Sequence, residues 1–322
     1  MAQQPTGPSD NEPDVQEQPS QEPSAGTFKV NVDVVNVFCN VKDKHGALIP
    51  DLKKDDFEIS EDGKLQTLKY FASEANQPLT LGLLVDTSGS QQRVLPIEKE
   101  AASQFLDEVI RPNDVAFVIN FDVDVNLDQD FTNNKHQLRR AIEATQINTG
   151  GGNGPLPGLG QGPFPSQGAP RGTLLYDAVY LASNDKLARE VGRKAMILLT
   201  DGQDQGSKLR IQDAIEAAQK ADAICYVILI ADRGFYGGMG YSGESEMHKL
   251  TEETGGRVID AGNRPDKLRQ AFDQIAAELR TQYLLGYTPT NQKRDGTFRK
   301  ISIKAKGDVK VQARKGYYAP GA

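Results

Sequence analysis

The sequence has no apolar run long enough to cross a membrane, no G-x-x-x-x-G-K-[ST] loop for phosphates and no G-x-S-x-G turn to present a nucleophilic serine. Histidine is scarce: His45, His136 and His248 lie in turn-like or helical contexts, away from the aspartates that end strands. These absences disfavour a membrane span, a P-loop nucleotide site and a serine hydrolase, which needs a histidine base.

Cysteine is almost absent, and positive charge is not in excess. Cys39 and Cys225 each lie in an apolar, strand-like run, which is typical of buried free thiols. The formal net charge of -7 disfavours general binding to nucleic acid or acidic lipid, since both need a basic surface. The basic stretch KRDGTFRKISIKAK alternates in polarity, so it predicts a strand with one solvated face.

The chain is organised around LTLGLLVDTSGS, residues 79–90. An almost unbroken apolar run, typical of a buried parallel strand, ends in Asp86, and Ser88 and Ser90 follow at alternate positions. Carboxylate and hydroxyl oxygens suit Mg²⁺ and Mn²⁺, and Mg²⁺ usually retains several waters. We therefore predict that these residues form the core of a cation site. Because two of the ligands are neutral, the bound cation would attract one more anionic oxygen.

A second strand of the same kind, KAMILLTDG, leads into Asp201. In an open α/β sheet, ligands collect beyond the carboxyl ends of the strands, so Asp86 and Asp201 are expected to meet if their strands are near neighbours. Between the two strands, Thr173 follows a glycine-rich loop and heads a helical pattern, RGTLLYDAV. Its hydroxyl is a natural third neutral donor.

The DxSxS motif, the later Thr173 in a G-T-x-L-x-D setting and the strand-ending T-D-G resemble the metal-ion-dependent adhesion site (MIDAS) of von Willebrand factor A domains. The resemblance implies a Rossmann-like fold with metal ligands Asp86, Ser88, Ser90, Thr173 and Asp201. It also implies a non-enzymatic adhesion or scaffold function, in which an Asp or Glu carboxylate of a protein partner completes the coordination of Mg²⁺ or Mn²⁺. The segments DFEISEDGKLQTLKYF and YLLGYTPTNQKRDGTFRKISIKAKGDVKVQARKGYYAP extend the resemblance to a bacterial group of related proteins.

Two other interpretations of this site stay open. Ser88 and Ser90 could simply cap the helix that follows Asp86, with no metal present. Alternatively, the same cation could activate water in a metal-dependent hydrolase. A phosphatase with an aspartate nucleophile is disfavoured, because the second aspartate that it needs would stand at Ser88. Acidic residues nearby in sequence are candidates for an outer layer of the site only: Asp122, Asp124, Asp177 and Asp204.

The polarity pattern divides the chain into a leader, an α/β domain and a β-sandwich. Residues 1–26 are polar and rich in proline and glutamine, which predicts disorder. We expect a doubly wound α/β domain over 76–281, whose first helix carries an apolar stripe from Ile97 to Val109. Residues 27–75 and 282–322 have alternating patterns that predict the two complementary parts of a flanking β-sandwich, with a hairpin at Asp62-Gly63.

The leader and two glycine-rich segments carry the remaining expectations. The leader lacks a signal-peptide pattern but is similar to the polar segment that follows a removed signal. If a signal peptide was removed, we expect a secreted or periplasmic protein; otherwise the sequence does not indicate the location. Residues 149–172 and 232–245 predict loops near the edge of the sheet where the ligand is expected. Each is either a binding loop or a flexible connection without a role in binding.

Overall fold

The protein is described from a computed structural model, which covers residues 34–73, 77–147, 172–230 and 243–321. The described residues belong to one compact unit. The strands are β1 (Val35–Asp43), β2 (Phe57–Glu61), β3 (Lys64–Gln66), β4 (Leu68–Ser73), β5 (Leu79–Asp86), β6 (Val115–Phe121), β7 (Val125–Thr132), β8 (Arg193–Thr200), β9 (Ala223–Leu229), β10 (Val258–Asp260), β11 (Tyr283–Tyr287), β12 (Phe298–Ala305), β13 (Val309–Ala313) and β14 (Gly316–Tyr318). The helices are α1 (Leu95–Val109), α2 (Lys135–Ala144), α3 (Leu175–Leu181), α4 (Ile211–Lys220), α5 (Glu244–Thr254) and α6 (Pro265–Arg280).

A six-stranded sheet in the order β10-β9-β8-β5-β6-β7 forms the centre of the α/β part. All neighbouring pairs are parallel except β6 with β7, which makes β7 an antiparallel edge. Helices α1, α2 and α6 pack on one face, and α3, α4 and α5 pack on the other. Every residue of β5, β8 and β9 is buried, as expected for strands covered by helices on both faces. The predicted doubly wound α/β fold is confirmed.

The two ends of the described chain combine in a β-sandwich. One sheet has the order β13-β1-β11-β4 and the other has the order β14-β12-β2-β3. Their inner faces share one apolar core, which includes Val37, Ile59, Tyr283 and Ile301. Each sheet therefore contains strands from both sides of the α/β part, and the predicted flanking sandwich is confirmed.

Pairing within the sandwich is more interwoven than an alternating pattern can show. The hairpin at Asp62-Gly63 joins β2 to β3 as predicted, with positive φ values of 47° and 78° at its two central residues. The chain then crosses at Thr67 to the opposite sheet, where β4 pairs with β11. Strands β1 and β2 likewise lie in opposite sheets, and each pairs with a strand from the C-terminal segment.

A buried ion cluster joins the sandwich to the α/β part. Glu278 of α6 is 1% exposed, and its Oε1 lies 2.8 Å from Lys42 Nζ of β1 and 2.6 Å from Arg257 Nε. Its Oε2 accepts a hydrogen bond of 3.1 Å from Gln312 of β13, and its carbonyl accepts one of 2.8 Å from Asn40. One carboxylate therefore fixes the last helix of the α/β part against two strands of the sandwich.

Three predicted details differ from the structure or lie outside it. The helix that the pattern RGTLLYDAV predicts begins at Leu175 and is α-helical only as far as Leu181, and a π-helical turn continues it to Leu187. The opening strand begins at Val35 within the described residues. The predicted leader and most of the two glycine-rich segments lie outside the described residues.

Candidate metal site

The site lies at the carboxyl ends of the two central strands. Asp86 is the last residue of β5, and Asp201 directly follows β8. The two strands are parallel neighbours in register from Leu79 with Arg193 to Val85 with Leu199, which brings their ends together. Gly202 takes a φ of +81°, so the chain turns immediately after Asp201 in a conformation that favours glycine.

A chain of hydroxyl groups joins the predicted ligands. Ser88 Oγ and Ser90 Oγ are 3.0 Å apart, and Ser90 Oγ donates to Asp201 Oδ2 at 2.6 Å. Because the single hydroxyl proton of Ser90 is directed at Asp201, Ser88 is the donor to Ser90. Asp86 Oδ1 accepts from the backbone N–H of Ser88 at 3.0 Å. Four of the five residues predicted from the sequence thus form one hydrogen-bonded cluster.

Asp86 is fully buried, and its surroundings disfavour its negative charge. Burial, followed by the negative charge of Asp201, raises the pKa of Asp86 to about 7. Hydrogen bonds from Ser88 and from Thr200, whose Oγ1 donates to Asp86 Oδ2 at 2.6 Å, oppose this shift only in part. A bound cation would offset the electrostatic repulsion between these two buried carboxyl groups.

The donor set fits a hard divalent cation. Ligands at adjacent corners of an octahedron with metal–oxygen distances of about 2.1 Å are roughly 3.0 Å apart, close to the spacing of the two serine hydroxyls. No group of three or more His, Cys, Asp or Glu side chains that could hold a metal ion occurs in the described parts of the chain. A site here would therefore depend on hydroxyls together with two carboxylates, which is a donor set for Mg²⁺ or Mn²⁺.

Thr173 reaches the same edge of the sheet through its backbone. It is 5% exposed, and its carbonyl accepts from the N–H of Gln205, in the loop that follows Asp201, at 3.0 Å. The next N–H, of Leu174, donates to the carbonyl of Asp122 at 2.8 Å. Thr173 is thus held between the loops that follow β6 and β8.

Two of the acidic neighbours proposed for an outer layer hold loops in place. Asp204 Oδ1 accepts from Ser207 Oγ and from the N–H of Tyr176, which lies in the first turn of α3. Asp177 accepts from the N–H groups of Lys208 at 3.1 Å and Leu209 at 3.0 Å, just before α4. The segment that carries Thr173 and the segment that carries Asp201 are therefore tied to each other by reciprocal caps.

The other two acidic neighbours belong to the loop after β6. Asp122 is 4% exposed, and its Oδ2 accepts from Oγ1 of Thr87 at 2.7 Å; Thr87 lies between the predicted ligands Asp86 and Ser88. Its Oδ1 accepts from the backbone N–H of Asp124 at 3.1 Å. Asp122 therefore fixes the backbone next to the predicted ligands.

Sequence reasoning missed three residues that complete the site. Thr200 orients Asp86, and its Oγ1 also accepts from Gly202 N–H at 2.9 Å. With its amide oriented to satisfy its neighbours, buried Gln91 donates to Glu98 Oε1 at 3.2 Å and accepts from Asp201 N–H at 3.2 Å. Glu98 lies three and four residues before the buried Ala101 and Ala102, so helical spacing would have placed this carboxyl on the core face.

The capping alternative does not describe the two serines. Ser88 precedes a short 3-10 helix, Gly89–Gln91, but makes no side-chain cap, and Val94 occupies the N-cap position of α1. Both cysteines are buried and free, as the sequence predicted, and all three histidines are exposed. Within the described residues, no helix combines the length and apolar character of a membrane span.

No protein-family model and no curated protein sequence matches the chain. Among solved structures, BatB from Bacteroides thetaiotaomicron, a conserved hypothetical protein, is 18% identical with a TM-score of 0.46, over 63% of this chain and 99% of that chain. Proximal thread matrix protein 1 from the mussel byssus, with a zinc-occupied MIDAS motif, is 17% identical with a TM-score of 0.49, over 68% of this chain and 50% of that chain. The SpRpn10 VWA domain is 10% identical with a TM-score of 0.41, over 61% of this chain and 94% of that chain.

Sequence identities this low give no information on the function of the chain. The strand order and helix layers of the chain itself establish its α/β fold.

Proposed function

We propose that this von Willebrand factor A-type domain, with its β-sandwich, is a divalent-cation-dependent protein-binding module. The observation that carries the proposal is the hydrogen-bonded chain from Ser88 through Ser90 to Asp201, which lies beside the buried carboxyl of Asp86. Two carboxylates and several hydroxyls in one buried cluster are a donor set for Mg²⁺ or Mn²⁺.

In this proposal Asp86 and Asp201 hold the cation directly or through water, and Ser88, Ser90 and Thr173 complete the protein ligands. The bound cation supplies Lewis acidity that attracts a further anionic oxygen, because the hydroxyl ligands do not neutralise it. A protein partner supplies that oxygen from an Asp or Glu side chain. The reciprocal caps of Asp177 and Asp204 keep the two ligand-bearing loops fixed while the partner binds.

A binding function without catalysis fits the residues around the site better than hydrolysis does. The three histidines are exposed, whereas Asp86 and Asp201 are buried. We therefore propose a non-enzymatic role, outside the cytoplasm as the leader composition suggests. Cation-dependent turnover in a panel of ester and phosphate substrates, abolished in Asp86→Ala, would instead support the hydrolase.

The test is calorimetric titration of Mg²⁺, Mn²⁺ and Zn²⁺ into the metal-free protein and into Asp86→Asn. We expect saturable binding near one ion per chain in the wild type and none in the variant. Asp114→Asn is a matched control: Asp114 is 3% exposed and accepts from Leu79 N–H at 2.8 Å, at the opposite end of β5. Equal binding by the wild type and Asp86→Asn would refute the assignment of the site.

The open coordination position is tested separately with Mn²⁺. Water bound to protein-held Mn²⁺ accelerates the relaxation of solvent protons, and an added carboxylate that displaces this water reduces the effect. We expect a glutamate-containing peptide, but not its glutamine counterpart, to reduce the relaxation of the Mn²⁺-loaded wild type. An identical response to both peptides would remove the partner carboxylate from the proposal while leaving the metal site intact.

A further inference from the structure

Glu98, in the first turn of α1, is a buried carboxyl whose place in the fold is unfavourable by itself. It is 1% exposed, and its Oε2 has no hydrogen-bond partner within the described residues. Its Oε1 accepts a hydrogen bond from the amide of Gln91 at 3.2 Å. A buried polar atom without a partner lowers stability, and a methionine of similar size would fill the same space without this loss. A carboxyl at such a position calls for a role outside folding.

The surroundings of Glu98 connect it to the metal site. The charges that act on its carboxyl are those of Asp86 and Asp201, both negative, and together with burial they raise the pKa of Glu98 well above its usual value. Gln91 bridges it to the ligand loop, since the same amide that donates to Glu98 accepts from the N–H of Asp201. The side chain of Gln91 thus lies between Glu98 and the loop that carries Asp201.

We propose that Glu98 is a positioning residue of the metal site that raises its affinity for divalent cations without being a ligand. The inference rests on the proposed function, because it concerns the same site. A divalent cation held by Asp86 and Asp201 offsets the negative charge that these two carboxylates place near Glu98. The carboxyl of Glu98 therefore disfavours the metal-free state more than the loaded one, and this difference appears as binding affinity. Its contact with Gln91 adds a geometric role. Gln91 accepts a hydrogen bond from the backbone N–H of Asp201, so Glu98 helps to hold Asp201 in position through Gln91.

The experiment compares the wild type with Glu98→Gln and Glu98→Met by Mg²⁺ and Mn²⁺ titration and by urea unfolding of the metal-free proteins. Glu98→Gln keeps the shape and the acceptor for Gln91 but removes the charge, and Glu98→Met removes both polar oxygens. We expect the dissociation constant of the cation to rise about 10-fold or more in Glu98→Gln, as is usual for residues that support metal ligands. The metal-free variants should be as stable as the wild type or more stable, which a merely structural role would not produce.

Glu278→Gln is the matched control, since it also removes a carboxylate that is 1% exposed on a helix. Glu278 binds Lys42 and Arg257 instead of facing other carboxylates, so this variant should lose stability and keep the cation affinity of the wild type. An unchanged dissociation constant in both folded Glu98 variants would overturn the inference while the proposed function stood. Absence of saturable cation binding by the wild type would overturn both.

Discussion

Replacing Asp86 by asparagine should stabilise the metal-free protein at pH 8. Asp86 has a folded-state pKa of about 7, whereas an unfolded aspartate has a value of 3.8. Between these values the folded state holds a proton that the unfolded state has released, so the folded protein loses stability as the pH rises from about 4 to about 7. A difference of about three pH units corresponds to up to about 4 kcal/mol at pH 8.

Asparagine avoids this loss because it remains neutral at every pH. Its side-chain oxygen can still accept from Ser88 N–H, and its amide group can donate to Thr200 Oγ1 in place of the present bond in the opposite direction. We expect Asp86→Asn to exceed the wild type by about 2–4 kcal/mol at pH 8 and by less than about 1 kcal/mol at pH 4.

The assay is urea unfolding at a series of pH values with a chelator present, followed by the same series with saturating Mg²⁺. Metal should raise the stability of the wild type and leave that of Asp86→Asn unchanged. A variant that is less stable than the wild type at pH 8 without metal, or a gain that is equal at pH 4 and pH 8, would show that burial does not disfavour the Asp86 charge.

Three further predictions concern the supports of the site and the two cores. Asp204→Ala removes the acceptor for Tyr176 N–H and for Ser207, so we expect a loss of about 1 kcal/mol in unfolding free energy and weaker cation binding by calorimetry; unchanged values of both would contradict the capping role. Glu278→Ala leaves Lys42 and Arg257 without their shared carboxylate, and because both cations retain some solvent contact, urea unfolding should show a loss of about 2 kcal/mol. Cys39 and Cys225, whose pKa values burial raises to about 12, should not react with a thiol reagent in the native protein at pH 8 and should both react in denaturant; rapid native labelling would mean that their surroundings open.

The position of the candidate site at the edge of the sheet was predictable, because the same sequence pattern marks the buried strands and the polar residues at their ends. Apolar runs that end in Asp86 and in Asp201 mark parallel strands, and neighbouring parallel strands bring their carboxyl ends together. The pairing of β4 with β11 in one sheet of the sandwich was not predictable in this way, because alternation sets the faces of a strand but not its neighbours. Whether the five predicted residues bind a metal ion stays a prediction.

Glu98 shows a different limit of sequence reasoning. The predicted stripe from Ile97 to Val109 does lie on the core face of α1: Ile97 is partly buried, and the later positions of the stripe are buried. The stripe leaves out Glu98, which is also buried. A carboxylate is normally expected on the solvent face of a helix, so Glu98 was not included in the predicted apolar stripe. Its spacing to the buried Ala101 and Ala102 was the signal in the sequence that this carboxyl faces inward.

The interwoven sandwich also determines the order in which the protein can fold during its synthesis. Val35 of β1 pairs with Tyr287 of β11, so the ribosome must add the whole α/β part before the first strand meets its partner. At about 5–20 residues per second, this delay lasts roughly 12 to 50 s. Throughout that time β1, whose inward face is Val35, Val37, Cys39 and Val41, has neither of its hydrogen-bonding neighbours and can pair with another chain. The α/β part can complete its sheet meanwhile, which makes the sandwich the last element to close and the one for which a chaperone is most useful.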